Sequence, residues 1–221
     1  MKDNEILKYV DHTMLAAASA WHEIKNLCNE AIKFNMASVC VPPAYIKRIR
    51  DSFGKELNIC TVIGFPLGYD TAETKVFSLK KALADGGNEF DMVINLGDVK
   101  NGDYDKITDE ISVMKQSAGE KILKVIIETC YLTDSEKIEM CRCVTQGKAD
   151  YIKTSTGFGT SGADIKDIAL FKKYMGENVK IKAAGGIRSR EDMIAFLESG
   201  CSRLGTSSAL KILSNMENDG Y

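Results

Sequence analysis

The chain has 221 residues, with 29 Lys and Arg against 31 Asp and Glu and a formal net charge of −2. That balance argues against an electrostatic nucleic-acid binder, and no apolar run approaches the roughly 20 residues of a membrane span. With 44% hydrophobic residues, a chain of this length can bury a full core without disulfides or metals, and a single domain over 1–221 is expected.

Met1 to Val10 carry two acids, no apolar stretch and no small-residue cleavage site, so no signal peptide is expected. The seven cysteines (Cys28, Cys40, Cys60, Cys130, Cys141, Cys143, Cys201) form no C-x-x-C pair and lie mostly among apolar neighbours. They read as reduced, buried thiols in a cytoplasmic protein, and structural zinc is disfavoured. His12 and His22 are too few for a His-rich metal site.

Along the chain, short apolar runs alternate with stretches whose apolar residues recur every three or four positions. His12–Leu15 is the first run, and Trp21 with His22 opens a helical stretch in which both read as packing residues. Ala37–Val41 and Ile59–Gly64 follow, then a helical stretch over Thr71–Gly86. Phe90–Asn95 leads to Asp105–Ser117, Leu123–Glu128 to Thr133–Gly147, and Tyr151–Ser155 to Ala163–Met175. Val179–Ala184 leads to Arg190–Ser199, and Arg203–Thr206 is the eighth run. Thr133 with Glu136 has the form of a capping box, and Ser189 with Asp192 resembles one. Gly86-Gly87, Gly147 and Gly200 stand where helices want a left-handed residue.

Eight such units predict an α/β protein, a single-domain (β/α)8 barrel. A doubly wound open sheet shares the alternation, but no G-x-G-x-x-G follows the first strand. In a closed parallel barrel the helix-facing residues must be apolar, which assigns direction to the rest. Phe90, Met92 and Ile94 then face outward, leaving Asp91, Val93 and Asn95 inside. By the same rule Ser38, Cys40, Lys153, Ser155, Lys180 and Lys182 point inward.

Asp91, Lys153 and Lys182 thus converge toward the strand ends. Two neighbouring lysines depress each other's pKa, and a lysine made neutral near pH 7 is the amine that forms a Schiff base with a carbonyl. A buried Lys–Asp–Lys ion network without chemistry is the alternative. The segments at Thr156–Gly159, Ala184–Ile187 and Leu204–Ser208 follow the last three strands and open into helices. Their amides, with the Ser207 and Ser208 hydroxyls, suit a phosphate; tight turns that merely need glycine are the competing reading.

The strings Lys153-Thr154-Ser155-Thr156-Gly157-Phe158 and Lys182-Ala183-Ala184-Gly185-Gly186-Ile187-Arg188 resemble the two lysine motifs of the deoxyribose-phosphate aldolase family. So do Asp11-His12-Thr13, Val62-Ile63-Gly64-Phe65-Pro66-Leu67-Gly68, Glu89–Asn95 and Lys124–Thr129, in order, from about Asp11 to Leu210. The resemblance implies a class I lyase that reversibly cleaves 2-deoxy-D-ribose 5-phosphate to acetaldehyde and D-glyceraldehyde 3-phosphate, without a metal or other cofactor. It implies Lys153 as the Schiff-base lysine and Asp91 as a proton donor and acceptor. Lys182 would be the second lysine, which lowers the pKa of Lys153 and shares the relay. Asp11 and Thr13 would lie at the substrate end of strand one. Thr156, Gly157, Gly185, Gly186, Gly205, Ser207 and Ser208 would hold the phosphate, with help from Arg188, since Phe158 stands where longer relatives carry a basic residue. A mobile tail from about 213 to 221 would carry Tyr221 toward the site, and a homodimer or homotetramer is expected. Cys40 is either a thiol open to capture by unsaturated aldehydes or a small core residue. An isomerase on the same barrel would not need two inward lysines, and a non-catalytic sugar-phosphate sensor would not need the lysine–aspartate set.

Overall fold

The computed structural model describes residues 1–214; Tyr221 and the expected tail beyond 214 lie outside the described residues. In chain order the elements are α1 (Asp3–Leu7), β1 (Val10–Thr13), α2 (Trp21–Lys33), β2 (Ser38–Val41), α3 (Ile46–Phe53), β3 (Ile59–Ile63), α4 (Ala72–Ala84), β4 (Glu89–Val93) and α5 (Leu96–Asn101). Then come α6 (Tyr104–Ala118), β5 (Ile122–Ile126), α7 (Asp134–Gln146), β6 (Tyr151–Lys153), α8 (Ile165–Tyr174), β7 (Lys180–Ala184), α9 (Arg190–Glu198), β8 (Arg203–Thr206) and α10 (Ala209–Ser214).

Every strand pairs in parallel with its neighbours in the chain, and β8 closes on β1 through Val10–Leu204, Asp11–Gly205 and His12–Thr206. That last pairing decides for the barrel over the open sheet. Closure leaves no strand edge, so every strand has a hydrogen-bonded neighbour on both sides.

Polarity sorts the two faces as alternation requires. Phe90, Met92, Ile152, Ile181 and Ala183 face outward and pack with Leu79, Ile111, Met140 and Phe171 of the helices in one continuous core. Each large apolar side chain buried there contributes about 1.5–3 kcal/mol before cavity effects. The inner apolar cluster is small: Cys40, Cys60 and Val62, with Leu15 and Phe65 against it.

Local signals set the helix starts. The Thr133–Glu136 box closes in both directions, with Glu136 N donating to Thr133 Oγ1 at 3.3 Å and Thr133 N donating to Glu136 Oε2 at 2.7 Å. Ser189 and Asp192 do the same for α9, both at 3.0 Å.

Four local expectations are corrected. β1 begins two residues earlier than expected, at Val10, because Val10 is the apolar residue that pairs with Leu204; Met14 and Leu15 fall beyond it. Asn95 does not point into the barrel: its Oδ1 accepts the Gly97 amide at 3.0 Å and caps α5. Gly147 has an ordinary right-handed conformation (φ −71), and Lys148 takes the left-handed one (φ +59). Glycine is required at 147 for space, since a Cβ there would lie 2.5 Å from Ile111 Cγ2. Lys180, though on the inward parity, is exposed at the bottom of β7, with its Nζ 5.9 Å from the Tyr151 ring centroid.

Candidate active site

The interior of this barrel is mainly ionic. Asp11 from β1, Glu89 and Asp91 from β4, Lys124 from β5, Lys153 from β6, Lys182 from β7 and Arg203 from β8 meet along the axis. In the lower layer Lys124 Nζ lies 2.6 Å from Glu89 Oε2, and Arg203 Nη1 lies 3.0 Å from the same oxygen. Arg203 also reaches Asp11 Oδ1 at 2.6 Å, an oxygen to which Ser38 Oγ donates at 2.7 Å. Above them Asp91 is shared: Oδ1 accepts Lys124 at 2.9 Å and the Cys60 thiol at 3.1 Å. Its Oδ2 accepts Lys153 Nζ at 2.8 Å and Lys182 Nζ at 2.6 Å. Lys182 bonds Asp11 as well.

Burial favours the neutral form of such groups, and for Asp11, Asp91, Lys124, Lys182 and Arg203 the neighbouring charges override it. Asp11 is desolvated, yet Lys124, Lys182 and Arg203 hold its carboxyl well below the usual carboxylate range. Asp91 is likewise held down against burial by Lys124, Lys153 and Lys182. Burial opposes the charge on Lys182, but Asp11 and Asp91 together keep its ammonium above the ordinary lysine range. The same balance raises Lys124, through Asp11 and Asp91, and Arg203, through Asp11 and Glu89. Desolvation raises the Cys60 thiol, whereas the neighbouring Cys60 thiol lowers that of Cys40.

Over this stack opens a cleft of about 630 Å³, at the C-terminal ends of the strands, with Lys153 in its floor. Its walls include Thr13, Thr156, Gly157, Gly185, Gly186, Arg188, Gly205, Ser207 and Ser208, so the structure gathers the residues expected around a phosphate. Gly157, Gly185 and Gly186 have φ of +89, +77 and +74. A Cβ at Gly162 would lie 2.3 Å from the Gly185 carbonyl, and one at Gly185 would lie 3.2 Å from Gly162 Cα and 3.5 Å from Gly157 Cα. The loops after β6 and β7 therefore meet backbone to backbone. The amides of Gly157, Gly185, Gly186 and Ser207 have no acceptor among the described residues, an arrangement suited to an anion.

Several expected site residues sit elsewhere in the geometry. Asp91 and Lys182 lie beneath the cleft, fully enclosed, and touch it through Lys153. Asp11, expected at the substrate end of its strand, is also enclosed, because Ser38, Lys182 and Arg203 surround its carboxylate. Thr13 lines the cleft but donates its hydroxyl to the Asp11 carbonyl at 2.8 Å. Thr156 lines it too, with its hydroxyl committed to Glu128. Cys40 is fully buried in the inner apolar cluster, which favours packing over capture.

Lys124, Glu89 and Arg203 are the interior charges that the sequence reading passed over. Leu123, Val125 and Ile127 join the outer core, so the polarity rule applied to β5 would have turned Lys124 inward. Glu128 was missed for a better reason: it follows the strand, where alternation ends.

The donor atoms of Cys40, Cys60 and Asp91, and those of Asp11, Cys60 and Glu89, lie close enough to share a metal ion. They do not fit one. Lys124, Lys153, Lys182 and Arg203 already occupy those carboxylates at contact distance, and a dication would have to displace them.

The model of the DeoC/LacD family aldolases matches residues 5–213. The chain belongs to the DeoC/LacD aldolase family. As a DeoC/LacD aldolase it is a lyase on a (β/α)8 barrel. The deoxyribose-phosphate aldolase of Clostridium botulinum (strain Alaska E43 / Type E3) is 58% identical over 221 residues, covering 100% of both chains. That of Clostridioides difficile (strain 630) is 55% identical over 216 residues, covering 98% of this chain and 99% of the other. The tetrameric deoxyribose phosphate aldolase from Aeropyrum pernix superposes with a TM-score of 0.87 at 28% identity, over 98% of this DeoC/LacD aldolase and 92% of its own chain.

Proposed function

We propose that the chain reversibly cleaves 2-deoxy-D-ribose 5-phosphate to acetaldehyde and D-glyceraldehyde 3-phosphate through an imine on Lys153, with no metal or other cofactor. The observation that carries this reading is the position of Lys153 Nζ. It lies in the floor of a glycine-walled cleft and 2.8 Å from Asp91 Oδ2, an oxygen shared with Lys182.

The chemistry follows from the charges. Four cations meet three buried carboxylates, so with every group ionised one positive charge is unbalanced. Lys153 is the one of these four that lines the cleft, and in its neutral form it presents a lone pair there. The amine attacks C1 of the open-chain sugar, and the resulting carbinolamine loses water as Asp91 and Lys182 deliver a proton to the departing hydroxyl. The protonated imine then draws electrons from the C2–C3 bond. As that bond breaks, the C3 hydroxyl gives up its proton, glyceraldehyde 3-phosphate leaves and an enamine remains on Lys153. Protonation at C2 and hydrolysis release acetaldehyde and regenerate the amine.

The phosphate end of the sugar would rest on the amides of Gly157, Gly185, Gly186 and Ser207, with Ser208, Gly205 and Arg188 beside it. The single-domain reading of 1–221, a cytoplasmic address and a homodimer or homotetramer belong to the same proposal. Among the described residues no helix is long and apolar enough to cross a membrane.

Borohydride reduction in the presence of 2-deoxyribose 5-phosphate, with peptide mass mapping, tests the reading. A reduced adduct on Lys153 is expected. An adduct on Lys182 would exchange the two lysines' roles, and no adduct under conditions where the sugar phosphate binds would overturn the imine mechanism.

A further inference from the structure

Glu128 takes part in no step above, yet it is built into the cleft wall. It follows β5 with φ +50, a left-handed conformation that few non-glycine residues adopt. Its side chain is buried, at 2% exposure, and its carboxylate faces the turn after β6. Oε1 and Oε2 accept the Thr156 amide at 3.1 and 3.3 Å, and Oε2 also accepts the Thr156 hydroxyl. That hydroxyl in turn accepts the Phe158 amide at 3.0 Å. The amides on either side of residue 157 are thereby already taken by acceptors. The Gly157 amide between them has no acceptor among the described residues, and Gly157 lines the cleft. A Cβ at Gly159 would lie 2.8 Å from Cys130 Sγ and 3.2 Å from the Glu128 carboxylate, so the turn is closed tightly against this anchor.

We infer that Glu128 is a positioning residue for the phosphate: by taking the Thr156 amide and hydroxyl, it holds the turn so that the Gly157 amide points at the anion. A carboxylate suits the task because two oxygens must accept three contacts from one residue's amide and hydroxyl, and ionised acceptors make the firmer hydrogen bonds. The inference rests on the aldolase reading of the same cleft and names what confers its preference for a phosphorylated sugar.

The test compares cleavage of 2-deoxyribose 5-phosphate with that of unphosphorylated 2-deoxyribose by the full chain and by Glu128→Ala and Glu128→Gln. The preference for the phosphorylated sugar, as the ratio of kcat/KM values, is expected to fall roughly tenfold in Glu128→Ala, as for one charge-assisted hydrogen bond, with the change in KM rather than kcat. Glu128→Gln, which keeps one oxygen for the Thr156 amide, should fall between the two. Gly157→Ala, which strains the same turn without touching Glu128, should reproduce the KM signature and carries the test if Glu128→Ala does not fold. An equal loss on both sugars, or an unchanged ratio, would overturn the inference. If the wild-type chain cleaves neither sugar, the aldolase reading fails by itself. The positioning role is then read from thermal stabilisation by inorganic phosphate, which should be weaker in Glu128→Ala; equal stabilisation would overturn it.

Discussion

Lys182 lies between Asp11 and Asp91, and a buried ammonium so placed has either a structural or a chemical reason to be there. Lys182→Leu distinguishes them. It removes the ammonium that shares Asp91 Oδ2 with Lys153 and so breaks the proton relay beneath the reacting amine. Cleavage at pH 7 is expected to fall by roughly 10²- to 10⁴-fold; an unchanged rate at pH 7 would remove Lys182 from the relay. Lys124 answers to stability as well. Lys124→Met strips Glu89 of its 2.6 Å partner and Asp91 Oδ1 of its 2.9 Å partner without giving either carboxylate another. A loss of about 3–5 kcal/mol in urea unfolding is expected, and a loss under about 1 kcal/mol would mean that Arg203 and Lys182 already satisfy both acids. At this scale the polarity rule reads Asp91, Lys153 and Lys182 from the sequence, because each directly follows an apolar helix-facing residue: Phe90, Ile152 and Ile181. Glu128 could not be read that way, since its role is made by a turn some 28 residues further along the chain.

At the scale of elements, the strands and long helices are legible because an apolar face set against a polar one imposes a period, and Thr133 and Ser189 mark starts by hydrogen bonds within four residues. Gly147 shows where local reading ends. Its sequence position suggests a helix stop, but its reason is Ile111 on the neighbouring helix α6. Gly147→Ala is therefore expected to lose about 1–3 kcal/mol through overpacking, whereas a glycine kept for backbone freedom alone would tolerate alanine at φ −71. Calorimetry of the variant separates the two: no loss would return Gly147 to an ordinary cap. Asn95 is the parallel case, an inward parity position diverted to cap a short helix whose six residues carry too little periodicity to announce it.

For the molecule as a whole, the ionic interior sets how stability responds to pH. Asp11 and Asp91 are held below the ordinary carboxylate range, so their contribution is full above about pH 4 and is lost as pH falls further. Lys124 and Lys182 are held above the ordinary lysine range, so theirs is full below about pH 10 and is lost as pH rises beyond it. A thermal midpoint nearly flat from about pH 5 to 9, with losses on both flanks, is expected from calorimetry. A midpoint that dropped steadily from pH 8 to 6 would place the governing groups outside this network.

What the sequence determined by itself was whatever depends on neighbours along the chain: eight apolar runs, the helix caps, and the side of each strand on which a lysine or aspartate falls. The motifs around Lys153 and Lys182 carried the family. Only closure of the barrel decided the rest. It brought Asp11 within reach of Arg203 and Lys182 across the β1–β8 seam, and it sealed Asp11, Asp91 and Lys182 below the cleft while leaving Lys153 in its floor. Depth along the barrel axis and the charge of opposite strands are properties of the closed sheet. Two lysines with the same inward parity are equal in the sequence, and they become different only where one meets two buried carboxylates and the other meets open space.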